Sequence, residues 1–221
     1  MTPSPDWLAW QIADSAFPTG GFAHSWGLEA AWQQGEVPDE NALAGFLRQS
    51  LWQAGFGMLP LLTTAYQSPD RFEVLDGLCD AFLINPVANR ASRVQGRTWL
   101  ATCGRIWPGD RVAAIDARAR GLAGHAAPTM GVVLRAVGVP CATSQRIGLY
   151  LAARGVLAAA VRLGIAGGYA AQRIQFEAMA DLEAVMARCG GLDERDLAQT
   201  APVIDLLQSA HDRLYSRLFQ S

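Results

Sequence analysis

Residues 144–164 read SQRIGLYLAARGVLAAAVRLG, and this stretch sets the fold class. It is the most apolar helix the sequence predicts, and none of the others is longer. Arg146, Arg154 and Arg162 interrupt it, and no run of 18 apolar residues exists anywhere in the chain, so it does not read as a membrane span. Working outward, the rest of the chain reads as helix after helix. Before it come Trp7–Ile12, Ser25–Gln34, Asp39–Met58, a restart at Pro60, Pro69–Ile84, Pro86–Ile106, Arg111–Leu122 and Thr129–Ala136. After a Gly167–Gly168 break follow Tyr169–Arg188, Arg195–Gln199 and a last helix, Val203–Phe219. Leu43, Phe46, Leu47, Leu51 and Trp52 recur at helical spacing, with acids in the turn after Pro38. Alternating β-branched runs are absent. The expectation is an all-α, single-domain bundle of roughly ten helices over residues 1–221.

Composition narrows the function classes. With 51% hydrophobic residues in 221, the chain has material for a substantial core and is not disorder-prone. The opening MTPSPDWLAWQIAD has no basic segment, so no signal peptide is read and a cytoplasmic location is expected. Cys79, Cys103, Cys141 and Cys189 lie far apart, and His24, His125 and His211 show no metal-ligand spacing; buried thiols and no resident metal are expected.

The net charge of −2 hides an asymmetry. Residues 1–84 carry ten acids and two arginines, 85–175 two acids and twelve arginines, and 176–221 eight acids and four arginines. Every one of the 18 basic residues is Arg. Acidic flanks of this size can neutralise the middle, so ion pairing within the chain or between two copies is expected, and nucleic acid is not. Without lysine or a GK[ST] sequence, the Gly20–Gly21 pair is no phosphate loop.

The chemistry-bearing stretch is Asp14–Glu29, DSAFPTGGFAHSWGLE. Pro18 fixes φ, while Gly20 and Gly21 admit backbone conformations closed to other residues, so this is a shaped loop feeding a helix. Ser25 or His24 is expected at the helix start, with Leu28 standing where a capping box would have a carboxylate. Asp14, His24 and Ser25 have the composition of a catalytic triad but fit no G-x-S-x-G elbow. A hydrogen-bonded structural knot is the main reading, and a small hydrolase using this loop is the alternative.

Five separated blocks resemble the urease accessory protein UreF family. They are ADSAFPTGGFAHSWGLE (13–29), NRASRVQG (89–96), GHAAPTMGVVLRAVGV (124–139), YLAARGVLAAAVRLG (150–164) with Gln172–Arg173, and HDRLYSRLFQS (211–221). The chain departs from the family after Gly164, where IAGGYAA replaces a polar Gly–Gln stretch. The resemblance implies an all-α, non-catalytic homodimer that bridges UreD (UreH in some systems) and the GTPase UreG. In that complex Ni²⁺ is delivered to apo-urease, with no cofactor bound stably by this chain.

The expected partner-binding residues are Asp14, Pro18, Gly20, Phe22, His24, Ser25, Gly27 and Glu29 in the loop, Gln172 and Arg173, and Arg213, Tyr215, Arg217, Leu218 and Phe219 in the last block. Leu214, Tyr215, Leu218 and Phe219 are expected to form one apolar helical stripe, and the loop and the terminal segment to pack near each other. Deleting Leu218–Ser221 is expected to cost partner binding and leave the helical fold intact.

Overall fold

A computed structural model describes residues 4–221. Its regular elements are all helical among those residues. The twelve α-helices are α1 (Pro5–Ala13), α2 (Leu28–Gln33), α3 (Glu40–Gly57), α4 (Leu59–Gln67), α5 (Phe72–Phe82), α6 (Pro86–Ile106), α7 (Asp110–Ala119), α8 (Ala126–Ala136), α9 (Cys141–Leu163), α10 (Gly168–Glu177), α11 (Met179–Cys189) and α12 (Pro202–Ser209). Short 3₁₀ turns cover Gly21–Ala23, Pro69–Arg71, Glu194–Asp196 and Ala210–Arg213.

The helix starts follow from local chemistry. Asp39 accepts the Ala42 amide at 2.9 Å to open α3, a cap of about 1 kcal/mol. Asn85 accepts the Val87 amide at 2.9 Å while Pro86 holds the first helical position of α6. Pro60 restarts the chain as α4, and α9 ends where Gly164 turns left-handed at φ 75°.

α9 occupies the middle of the bundle and touches α1, α2, α3, α4, α8, α10 and α11. One apolar cluster joins α9 to α3, α10, α11 and α12; a second joins α4, α5, α6 and α8 to α1 and α7. Met58, at the α3–α4 corner, packs against both. α8 is buried from Ala127 through Leu134. Glycine permits its close approaches: a methyl on Gly131 would collide with the Leu62 carbonyl and lie 2.9 Å from the Tyr66 amide, and one on Gly96 would meet the Gly124 carbonyl and, at 2.6 Å, the His125 backbone. Buried Asp76 accepts the Gly124 and His125 amides at 3.2 and 2.7 Å, at the start of α8. The His125 ring is held between Ser92 at 3.1 Å and Asp80 at 3.0 Å. The blocks at 89–96 and 124–139 are therefore two halves of one packing joint.

The charge asymmetry is answered in part within the chain. Arg90 pairs with Asp212, Arg118 with Glu73, Arg146 with Glu183 and Arg173 with Glu40, each joining the arginine-rich middle to an acidic flank. These pairs are solvent-exposed, so each contributes at most about 1 kcal/mol.

Several boundaries differ from the expectation. The Tyr169–Arg188 helix is two helices meeting at Ala178, where no proline or glycine marks the break. Arg195–Gln199 holds only the end of a 3₁₀ turn. α2 begins at Leu28 and not at Ser25, because Trp26 (φ 59°) and Gly27 (φ 85°) are both left-handed and interrupt the helix. The Val203–Phe219 helix stops at Ser209, passes through the 210–213 turn and becomes extended at Leu214. The apolar stripe of Leu214, Tyr215, Leu218 and Phe219 is accordingly not one face: Phe219 is buried while Tyr215 and Leu218 are exposed.

Replacing Gly96 or Gly131 by Ala should destabilise the chain by about 1–3 kcal/mol through overpacking of the α6–α8 and α4–α8 joints. A lowered urea midpoint at unchanged slope is the expected result.

Candidate functional site

The loop feeding α2 and the segment after α12 are bonded to one another along their length. The anchor is Glu29, in the first turn of α2 and 1% exposed. Its Oε1 accepts the Leu218 amide at 2.6 Å; its Oε2 accepts the Phe219 amide at 3.3 Å and meets His211 Nε2 at 3.1 Å. A carboxylate is tolerated in such a place only when several donors are aimed at it, and two of these are backbone amides that a continued helix would have consumed. This is the physical reason the last helix ends early.

Beyond Glu29 the two strands of chain run side by side. Gln220 donates its amide to Ala23 O at 2.8 Å, and Ser25 donates its amide to Ser221 O at 2.6 Å. The Ser25 hydroxyl donates to the same oxygen at 3.1 Å, and His24 Nδ1 lies 2.5 Å from Ser221 Oγ. Gln33 Nε2 donates to Ser216 O at 2.9 Å.

Arg162 of α9 clamps both segments. Its guanidinium donates to Phe22 O at 3.0 Å and Leu218 O at 3.2 Å. Its central carbon sits 4.3 Å from the ring centroids of both Phe22 and Phe219. A cation between two aromatic faces gains from each ring quadrupole, by about 0.5–1 kcal/mol apiece at such a site. Arg154, two turns earlier, donates to Ala13 O and Asp14 O at 2.5 and 2.9 Å and fixes the far end of the loop.

The expected residues divide as follows. Asp14 ends α1, its Oδ1 accepting the Ala16 amide at 2.7 Å. Pro18 O accepts the Thr102 hydroxyl at 2.9 Å. Gly20 and Gly27 are left-handed, and Gly27 lies so close to Gln208 that a methyl there would be 3.0 Å from its Cβ. Glu29, His24, Ser25, Phe22, Leu218 and Phe219 meet in the contact just described. Tyr215 and Arg213 are exposed beside it, and Arg217 lies 3.5 Å from Asp212, which Arg90 also reaches at 2.8 Å. Gln172 and Arg173 sit on α10, bonded to Gln175 and Glu40, and bond to neither loop nor tail. Sequence reading passed over Arg162, Arg154, His211 and Ser221. The arginines left a usable signal, since they are two of the three cations, with Arg146, in an otherwise largely apolar helix; nothing local distinguished His211.

Asp14, His24 and Ser25 form no relay. Ser25 is fully buried and spends its hydroxyl on Ser221, His24 turns Nδ1 to the Ser221 hydroxyl, and Asp14 bonds its own loop. Burial, and then the charges of His211 and Arg90, lower the His24 pKa from 6.5 to about 4. Among the described residues no group of three or more His, Cys, Asp or Glu side chains is placed to hold a metal ion.

The chain is thus an all-helical protein whose shaped polar loop is spent on anchoring the segment after α12, with exposed aromatics at the rim of the joint. The UreF family model matches residues 37–179. Relatives cover nearly the whole chain. "Urease accessory protein F" of Oryza sativa subsp. indica is 36% identical across 96% of this chain and 84% of its own length. The protein of that name in Arabidopsis thaliana is 34% identical over 97% and 92%, and "Urease accessory protein UreF" of Arthrobacter sp. (strain FB24) is 32% identical over 96% and 95%. The chain belongs to the UreF family of urease accessory proteins.

Two outcomes are expected at this site. Glu29→Ala leaves two amides and a buried imidazole facing a void, and should cost about 3–5 kcal/mol in urea unfolding. Deleting Leu218–Ser221 strands the same carboxylate, so it too should lower stability. The second outcome concerns pH. His24 resists protonation in the folded state, so its contribution is complete above pH 6.5 and declines as the unfolded chain takes up the proton between 6.5 and about 4. His24→Gln should flatten the fall in stability between pH 6.5 and 5 relative to the parent chain; an identical slope would contradict this.

Proposed function

We propose that this chain is a non-catalytic scaffold in urease maturation, bridging UreD (or UreH) and the GTPase UreG on apo-urease while Ni²⁺ is inserted. The supporting observation is the loop–tail joint. It is a frame that presents outward side chains: Phe22, whose other face meets Arg162, Tyr215 and Leu218 are 72%, 104% and 57% exposed, with Arg213 and Arg217 alongside. Exposed aromatics beside arginine, on a backbone already ordered, are the composition from which interface hot spots are built. The family membership supplies the urease context.

In this reading the protein acts in the cytoplasm as a homodimer, and the nickel ion is cargo of the complex, without a resident site on this chain. No helix among the described residues is long and apolar enough to cross a membrane. The buried hydroxyl of Ser25 and the separate bonding of Asp14 count against the hydrolase alternative. Gln172 and Arg173 would act, if partners touch them, at a second place on the surface.

The test is co-purification with UreD and UreG together with activation of apo-urease. Phe22→Ala and Tyr215→Ala should each weaken capture by about tenfold or more, as truncating an interface anchor does, with helical content and urea midpoint unchanged for Tyr215→Ala. Capture of both partners at parental levels by the double variant would refute the assignment of this surface.

A further inference from the structure

The ion pairs within the chain leave part of its arginine-rich middle unanswered, and α6 carries a share of the remainder. Arg90, Arg93 and Arg97 follow at i, i+3 and i+7 and so lie on one face of that helix. Arg90 pairs with Asp212, its side chain still half exposed. Arg97 is exposed and Arg93 half-buried. Neither of these two has an ion pair or a side-chain hydrogen bond among the described residues, whereas Arg90, Arg118 and Arg120 each find an acid.

Two open hollows flank this face and share Asp80, Arg93 and Arg97, so they form one continuous trough. The hollow at the α5–α6 corner, of about 710 Å³, adds Ile84, Arg90 and Val94. The hollow toward α7, of about 590 Å³, adds Leu100, Arg120 and Leu122. Ile84 and Val94 are exposed, so part of the apolar lining faces water. Arg97 is braced along its stem: Gly124, left-handed at φ 75°, lies so close that a methyl there would be 2.9 Å from Arg97 Cγ. The carboxylates of the trough are already engaged. Asp80 Oδ1 accepts from Asn89 Nδ2 at 3.0 Å and meets His125 Nε2 at 3.0 Å, and Asp116 faces Arg120 at 3.7 Å. Among the described residues, none from the 14–29 loop or from the segment after α12 lines the trough; the two surfaces adjoin at the Arg90–Asp212 pair.

We propose that this trough docks an extended acidic segment of a partner protein, with carboxylates at alternate positions taken by Arg93 and Arg97. A guanidinium holds a carboxylate through two parallel N–H bonds, and every cation here is an arginine. Side chains two apart in an extended chain face the same way and stand about 7 Å apart, close to the separation of helix residues at i and i+4. From Arg90 to Arg97 the helix rises about 10 Å, which an extended segment covers in about three residues. Nucleic acid fits this lining less well. No aromatic side chain among the described residues lines the trough for a base to stack on, Asp80 and Asp116 would oppose a run of phosphates, and the chain as a whole is net acidic. The proposal does not rest on the bridging role, and its test contains neither UreD nor UreG.

The probe is a blocked heptapeptide with glutamate at its second, fourth and sixth positions and glycine or serine elsewhere; the same peptide with glutamine for glutamate is the neutral control. Each is titrated into the ¹⁵N-labelled full chain at low salt. The Nε–Hε signals of Arg93 and Arg97, assigned with Arg93→Gln and Arg97→Gln, should shift saturably with the acidic peptide. The neutral peptide should bind more weakly by about tenfold or more, as expected for loss of charge-assisted bonds. The double variant Arg93→Gln, Arg97→Gln should lose a similar factor, read from the Arg90 signal, at unchanged helical content. If the double variant does not fold, Arg93→Gln alone replaces it, with weaker binding read from the Arg97 signal. Arg188→Gln removes the same charge from α11, outside the trough, and should leave affinity within about twofold because solvent ions screen it. No saturable shift at these two arginines, equal binding of the two peptides, or an equal loss in the Arg188 variant would each overturn the proposal. So would tighter binding of an oligothymidylate at the same signals, which would assign the trough to nucleic acid. Shifts of the same signals on concentrating the chain alone would assign it to a second copy and overturn the proposal as well.

Discussion

The carboxylate of Glu29 is the constraint around which this end of the molecule is arranged. A buried anion is tolerable only if donors converge on it, and here they come from residues almost the whole chain length away: the Leu218 and Phe219 amides and the His211 ring. Supplying them forces the tail out of helical geometry after Ser209 and lays it along the loop. The other features follow from that placement. Ser25 and His24 close on Ser221, and Arg162 is sandwiched where Phe22 and Phe219 come together.

The same arrangement suits the proposed scaffold role. Immobilising a loop and a tail before a partner arrives removes part of the entropy cost of association. Apart from the Phe22 face that meets Arg162, the bonds that hold the joint use backbone groups and buried side chains, so Tyr215, Leu218 and the other face of Phe22 remain outward. Glycine-dependent packing at α4, α6 and α8 and the central position of α9 provide the stiff base from which Arg154 and Arg162 reach the loop.

The helical class was legible because helical periodicity recurs throughout and alternating β-branched runs are missing. Proline and glycine marked most boundaries: Pro60, Pro86 and Gly164 all act as the sequence suggests. Two of the errors have a common cause. The early end of α12 and the loss of the terminal stripe are imposed by contacts between residues about 190 positions apart, which no local pattern encodes, whereas α2 starts late because Trp26 and Gly27 are left-handed. The break at Ala178 has no breaker residue at all. At the site, the loop and tail were each legible as special, and their proximity was expected. What local reading could not supply was Glu29 as the anchor and His211 as its partner, since each looks ordinary in its own helix or turn.

Native-state hydrogen exchange at the Leu218 and Phe219 amides tests the central claim most directly. If the tail is a structural element held by Glu29, both amides exchange only through large-scale opening, with protection comparable to that of core amides in α9 and far above that of a fraying chain end. Exchange of these two amides at the rate of an unstructured peptide, while α9 remains protected, would contradict the account.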